Sequence, residues 1–384
     1  MSPEPEHTGP RKGSPLPASS PAPLPTPLTA LVGCRYPIVQ TGMGWVSGPH
    51  LVAATANAGG LGILASATMP LERLAEAIGE VRERTDAPFG VNLRADAADA
   101  SDRVGLLVQE GVKVASFALA PDPKLIRRLK DAGVVVMPSV GARRHAEKVE
   151  AWGADAVLVQ GSEGGGHTGA VSTTVLLPQV VDAVDIPVIA AGGFFDGRGL
   201  VAALAYGAAG IAMGTRFLLT SDSPVPGEVK RFYLGTRDTV VTRQVDGLPH
   251  RVLRTDLIDG LETSARPRRL LSATRNAVRF RRISGLSWPH LLHEAMAMRR
   301  GTGLSWSQVL MAANTPMLLR SAMVDGRTDL GVMAAGQVVG AISDPDDLPS
   351  CAELIDQIMA EAHTTLHRLD RSSVTDVARA TEGE

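Results

Sequence analysis

Eight short apolar runs of strand length alternate with helical patterns between Tyr36 and Met213, and this order restricts the fold more than any other feature of the chain. The intervening stretches are amphipathic. In Leu71–Arg84, for example, the apolar residues Leu71, Leu74 and Ile78 share one face of a helix. The eight runs are Pro37–Gln40, Leu61–Ala65, Phe89–Leu93, Val114–Phe117, Val134–Val140, Ala156–Gln160, Val188–Ala191 and Gly210–Met213.

The composition of these runs indicates how the strands pair. They are nearly all apolar rather than alternating, which is typical of parallel strands covered by helices on the outside. Eight consecutive strand and helix units are what a closed barrel requires, whereas an open doubly wound sheet usually stops at about five or six strands. We therefore predict an α/β fold, a (β/α)8 TIM barrel that closes at about residue 213, followed by an inserted and mostly helical subdomain.

The rest of the chain divides around this barrel. The first 29 residues hold nine of the 26 prolines and no apolar periodicity, which predicts disorder. Residues Cys351–Leu369 have the pattern of a closing helix that supplies the eighth outer helix of the barrel. The predicted segments are a disordered tail at 1–29, the barrel at 30–224, a substrate or lid subdomain at 225–325, the return to the barrel at 326–370, and a flexible tail at 371–384.

Composition limits the classes of partner. The formal net charge of −2 gives no general electrostatic footprint for nucleic acid or membranes, so we expect a small-molecule substrate. Only Cys34 and Cys351 are present, which excludes a disulfide framework and a cysteine-based metal site. Without a signal-like or membrane-spanning segment, the expectation is a cytoplasmic protein. A homo-oligomer is compatible with the sequence, which leaves the oligomeric state open.

Glycines follow the last two predicted strands, at the end of the barrel where active sites lie. Gly192 and Gly193 come after strand seven, and Met213, Gly214 and Thr215 follow in the same way at strand eight. Exposed backbone N–H groups in these two loops suit a phosphate. The alternative is that such glycines only make tight turns.

A third glycine-rich segment follows strand six. Residues Gln160–Gly169 include three successive glycines, which leave the backbone open to a flat ligand and place His167 at the barrel mouth. An imidazole there could take a proton from a carbon acid or return one. A structural or surface role for this histidine is the alternative.

As an ordered set, these motifs resemble the nitronate monooxygenase family, formerly 2-nitropropane dioxygenases, and equally its sister group, the flavin-dependent enoyl-[acyl carrier protein] reductases. The resemblance covers about residues 35–220 and more loosely the segment 335–337. The matching segments are Tyr36–Met43, Asn57–Gly62, Pro88–Asn92, Gln160–Gly169, Ile189–Gly193, Asp196–Arg198 and Met213–Thr215.

This resemblance implies FMN bound non-covalently at the strand ends and His167 as the catalytic histidine. Within that site Asn92, Gln160 and Gly165 would contact the isoalloxazine or ribityl part, and Gly193 with residues 212–215 would hold the phosphate. The full set of implied cofactor-binding residues is Gly42, Met43, Asn92, Gln160, Gly165, Gly192, Gly193, Ala212, Met213, Gly214 and Thr215.

Two departures concern the substrate. Nitronate monooxygenases typically read Gln-Ala-Pro-Met after strand one, where this chain has Gln40-Thr-Gly-Met43, nearer the enoyl reductase pattern; the usual Gln before Met-Gly-Thr is Ala212. The leading hypothesis is an FMN-dependent oxidoreductase that oxidises alkyl nitronates with O2. The alternative is a reductase or dehydrogenase of enoyl- or acyl-CoA (or carrier-protein) thioesters, in steroid or lipid catabolism. A flavin-binding barrel without turnover is disfavoured by His167.

Two further features lie in the predicted insertion. Arg266–Arg282 contains seven arginines and no acid, which indicates either a solvated basic face or a clamp for the phosphates of a CoA thioester. The sequence His290-Leu-Leu-His293-Glu294 lacks the H-E-x-x-H order, so we predict no metal site.

Overall fold

The computed structural model describes residues 20–245, 247–263, 296, 315–329, 331–342 and 348–381, with side chains to residue 371. Its strands are β1 Ile38–Gln40, β2 Leu61–Ala65, β3 Phe89–Arg94, β4 Val114–Ala118, β5 Val135–Val140, β6 Val157–Gln160, β7 Gly166–His167, β8 Val188–Ala191, β9 Gly210–Met213, β10 Thr239–Thr242 and β11 His250–Leu253. The helices are α1 Pro27–Val32, α2 Pro49–Asn57, α3 Leu71–Arg84, α4 Ala100–Gln109, α5 Pro123–Asp131, α6 Arg143–Ala151, α7 Thr173–Val181, α8 Gly197–Ala205, α9 Thr215–Leu218, α10 Gly227–Gly235, α11 Asp256–Thr263, α12 Thr315–Met323 and α13 Cys351–Thr381, with a 3-10 helix at Gln337–Ala341.

Eight of these strands form a closed parallel barrel in the order β1-β2-β3-β4-β5-β6-β8-β9. The barrel closes where β9 pairs with β1, in the register Val39↔Ala212 and Gln40↔Met213. All eight predicted apolar runs are barrel strands, so the predicted TIM barrel is confirmed.

Alternate residues of the strands fill the barrel interior. Leu61, Ile63, Met137, Leu158 and Ile189 belong to one buried cluster of inward-facing side chains. The intervening strand residues pack against the surrounding helices instead. The barrel interior is therefore a packed core, and a binding site belongs at the carboxyl ends of the strands.

The amino-terminal boundary of the fold lies earlier than the predicted residue 29. Helix α1 begins after Thr26, whose hydroxyl and that of Thr29 form a reciprocal capping box, and Pro27 occupies the first turn. Leu28 is 0% exposed and packs with the barrel-interior residues. Residues 27–29 are therefore helical rather than disordered, because Pro27 suits a helix start, and residues 1–19 of the predicted tail lie outside the described residues.

We expect Leu28→Ala to lower the free energy of unfolding by about 2–5 kcal/mol, because the substitution leaves a cavity under the barrel. Leu369, which is 53% exposed on α13, provides the matched control, and Leu369→Ala should change stability by less than about 0.5 kcal/mol. Urea unfolding of both variants measures the difference. Equal stabilities would mean that α1 contributes nothing to the fold.

Helix α13 fills the position of the eighth outer helix. It packs against α8 and α2, and Cys351, Leu354, Ile355 and Ile358 are buried on its inner face. The predicted closing helix is thus present. The helix continues to Thr381, so the predicted boundary at residue 371 falls inside it.

The described part of the predicted insertion is not only helical. Besides α10, α11 and α12, it contains β10 and β11, which join β7 in a three-stranded antiparallel sheet. Both strands mix polar and apolar residues, Thr239–Thr242 and His250–Leu253, so they lack the continuous apolar run that identified the barrel strands in the sequence. No helix in the described part of the chain is long and apolar enough to cross a membrane.

Candidate active site at the barrel mouth

The loop after β6 is held in place by the residue that begins it. Gln160 donates from Nε2 to the carbonyl of His167 at 2.9 Å, which closes the glycine loop into a compact turn. The chain after α12 returns against this loop, since a Cβ at Gly165 would lie only 2.6 Å from the carbonyl carbon of Ala335. The His167 side chain is exposed at the mouth of the barrel.

The loops after β8 and β9 present free backbone donors. Gly193 has a φ of +92° and its neighbour Gly192 has a φ of +88°. A residue with a side chain adopts this left-handed conformation only with strain. Within the described ranges, no group accepts a hydrogen bond from the N–H of Gly193 or Gly214. Thr215 begins α9, and its hydroxyl accepts from the N–H of Gly336 at 2.9 Å. These donors suit an anion, as the glycine pattern predicted.

The loop after β1 lies against β3. A Cβ at Gly42 would come 2.5 Å from the Cβ of Asn92, so these two predicted residues are in contact. Met43 is fixed by a turn in which its N–H donates to Ser47 Oγ at 2.9 Å. Its sulfur would lie 3.3 Å from a Cβ at Gly214, which connects this loop to the one after β9.

The predicted residues thus lie in two adjoining groups along the carboxyl end of the barrel. Loop contacts join Gln160, Gly165 and His167 to the return segment and, through Gly336, to Thr215. The second group comprises Gly42, Met43, Asn92 and Gly214. Ala212 differs from the other predicted residues, because its side chain packs in the barrel interior.

One buried polar atom at this end of the barrel has no partner. Gln40 is fully buried at the end of β1, and its Nε2 donates to Ser47 Oγ at 2.8 Å and to the carbonyl of Ile63 at 3.3 Å. These acceptors fix the orientation of the amide. Its Oε1 accepts no hydrogen bond from any residue that the structure describes.

Sequence reasoning missed two charged residues that hold the loop after β6, Glu163 within the loop and Arg251 on β11. The carboxylate of Glu163 accepts from the N–H of Thr173 at 2.9 Å and from its hydroxyl at 2.8 Å. Arg251, on β11, donates from Nε to the carbonyl of Ser162 at 3.0 Å. Burial lowers the pKa of Arg251, and the negative charge of Glu163 partly opposes that effect. These hydrogen bonds attach the loop to the start of α7 and to β11.

A second histidine was also missed. His250 pairs in register with His167 between β11 and β7, and the two imidazole centroids are 4.6 Å apart with an interplanar angle of 39°. No local motif connects the two positions, because the contact depends on the folding of the insertion. Arg216, on α9 after β9, is a further cation that sequence reasoning missed. Burial lowers the pKa of Arg216, and the negative charge of Glu361 partly opposes that effect.

The sequence model of the nitronate monooxygenase family matches residues 25–361. The chain belongs to the nitronate monooxygenase family. It is therefore an oxidoreductase on the family's barrel, in agreement with the resemblance of its motifs.

Two similar proteins carry the same description. Proteins of Mycobacterium tuberculosis and Rhodococcus jostii are 65% and 62% identical to it over 348 and 341 residues, spanning 89% and 88% of this chain and 97% and 96% of theirs. Both are described as (3aS,4S,5R,7aS)-5-hydroxy-7a-methyl-1-oxo-octahydro-1H-indene-4-carboxyl-CoA dehydrogenase.

Similarity to other family members is lower. A probable nitronate monooxygenase of Staphylococcus saprophyticus is 33% identical over 284 residues, which is 61% of this chain and 80% of that protein. Among solved structures, FabK of Thermotoga maritima superimposes with a TM-score of 0.73 at 35% identity, covering 91% of this chain and 99% of that one.

Parts of the predicted site lie outside the described residues. These include the arginine-rich segment Arg266–Arg282 and the histidines His290 and His293. The phosphate clamp therefore stays a prediction.

Proposed function

We propose that the protein is an FMN-dependent dehydrogenase of a carbocyclic acyl-CoA thioester. The observation that supports this most is the 65% identity, over 97% of its length, to a relative named as the dehydrogenase of a two-ring carboxyl-CoA. Nitronate oxidation, our leading hypothesis from the motifs, is favoured by the family model and by the 33% identical relative. The thioester alternative is the better supported of the two.

The residues present fit FMN. The free N–H groups of Gly193 and Gly214 would hold its phosphate, and the unpaired Oε1 of Gln40 lies at the end of β1, under the loops that would receive the ring. Asn92 and Gln160 would flank the isoalloxazine and ribityl parts. When bound, FMN supplies a two-electron acceptor.

His167 would act as the base that takes a proton from the substrate. Oxidation of a saturated or hydroxylated thioester removes two electrons and two protons from the substrate. We assign abstraction of one proton to the exposed imidazole of His167, and the other hydrogen would leave with both electrons as a hydride, for which bound FMN would be the acceptor. The hydrogen bond from Gln160 to the His167 carbonyl would keep this imidazole at the mouth while the substrate enters. The predicted arginine clamp would bind the phosphates of CoA from the insertion.

The assignment is tested by anaerobic reduction of the flavin. The purified yellow protein is mixed in turn with a carbocyclic hydroxyacyl-CoA, an alkyl nitronate and NADH, and bleaching of the visible absorbance is followed by stopped flow. We expect the thioester to bleach the flavin much faster than the other two reagents. Fast bleaching by the nitronate alone would restore our first hypothesis, and a colourless protein would contradict FMN.

A further inference from the structure

His250 is held more firmly than His167. It is 2% exposed, whereas His167 is exposed on a strand of only two residues. The neighbours of His250 on β11 are held by two segments. Strand β10 pairs along the whole of β11, and the segment at 333–334 accepts the N–H of Leu253 at the Met333 carbonyl, at 2.9 Å, and forms a bridge from Ala334 to Val252. One imidazole is therefore fixed in the core of the small sheet, and the other lies against it.

The backbone of the His167 loop is attached to the same strand. Thr168 donates its N–H to the carbonyl of Pro249 at 3.1 Å, and Gly166 pairs with Arg251. These backbone bonds set the position of the His167 Cα and do not involve its imidazole. The tilted ring contact with His250, at 4.6 Å between centroids, is an interaction that acts on the imidazole directly.

We propose that His250 is a positioning residue, which fixes the imidazole of His167 in its reactive orientation by ring packing. The proposal rests on the catalytic role of His167 in the proposed function. Displacement of a catalytic group by about 1 Å can cost on the order of 10²-fold in rate, so an imidazole that shifts when the His250 ring is removed would lose much of its effect. Since the contact is one of packing, an aromatic ring without nitrogens should replace it.

The kinetic test compares His250→Ala with His250→Phe in the full-length, flavin-loaded protein. We expect His250→Ala to lower kcat by roughly 10- to 100-fold with KM nearly unchanged, because orientation is lost while substrate contacts remain. His250→Phe should stay within about threefold of the parent. Retained flavin absorbance and thermal midpoint show that each variant is folded. An equal loss in the phenylalanine variant would overturn ring packing as the mechanism.

A double-mutant cycle separates positioning from general stability. In the His167→Ala background, His250→Ala should cause no further loss, because the side chain through which it acts is gone. Multiplicative losses would show that His250 does not act through His167.

A readout without substrate keeps the proposal independent of the assigned reaction. In histidine-labelled protein, the NMR order parameter of the His167 Cε1–H bond should fall in His250→Ala and stay at the parent value in His250→Phe. If no thioester bleaches the flavin, the proposed function fails but this comparison still decides the role of His250. An unchanged order parameter in His250→Ala would contradict the proposal.

Discussion

Gly193→Val is expected to give a folded protein that has lost its flavin. Gly193 follows β8 with a left-handed φ of +92°, and no residue that the structure describes accepts a hydrogen bond from its N–H. A branched side chain strains that conformation by on the order of 1–3 kcal/mol and covers the donor that we assign to the phosphate. Absorbance near the flavin bands, relative to that at 280 nm, measures occupancy.

A control variant must separate backbone strain from loss of the phosphate site, because valine at any position of positive φ lowers the stability of the fold. Gly33 has a φ of +89° and nothing within 4 Å of an added Cβ, and it lies before β1, at the opposite end of the barrel. Gly33→Val should therefore lose a similar amount of stability and keep its flavin. A fully yellow, folded Gly193→Val would show that the phosphate site is elsewhere.

His167→Ala should separate cofactor binding from chemistry. The loop is held by hydrogen bonds to its backbone, including the one that Gln160 donates to the His167 carbonyl, and none of these needs the imidazole. The flavin should therefore remain bound, while turnover of the substrate that bleaches it falls by on the order of 10²- to 10⁴-fold, as for the loss of an acid–base group. Steady-state kinetics and the visible spectrum give the two quantities.

The matched control for this variant is His367→Ala, an exposed histidine on α13, which should leave both quantities unchanged. Loss of the flavin together with activity would make His167 a cofactor-binding or structural residue. Turnover within a few-fold of the parent would remove its role in proton transfer.

The barrel could be predicted from the sequence because its signals are local. Each strand is a short apolar run between turn residues, so β2 and β8 begin and end at the predicted residues. Parallel topology places every loop after a strand at one end of the barrel. The family resemblance assigned Gly42 and Asn92 to one site at this end, and the structure brings the two residues into contact although they belong to different units.

What escaped prediction depends on contacts between distant segments. Leu28 is buried because it packs with the residues of the barrel interior, a contact that the local sequence does not reveal. The prolines around it suggested disorder. The sheet that joins β7, β10 and β11 has no signal in any one of its segments. His250 therefore looked like an ordinary histidine, and its contact with His167 followed only from the three-dimensional register.

The pairing of β7 with β11 has a consequence for folding. All eight barrel strands precede residue 214, so the barrel and its glycine loops can form before residues 250–253 are synthesised. The strand that contains His167 gains its partner only when those later residues fold back against it. During synthesis the phosphate-binding loops would therefore form first, and catalytic competence would be acquired last.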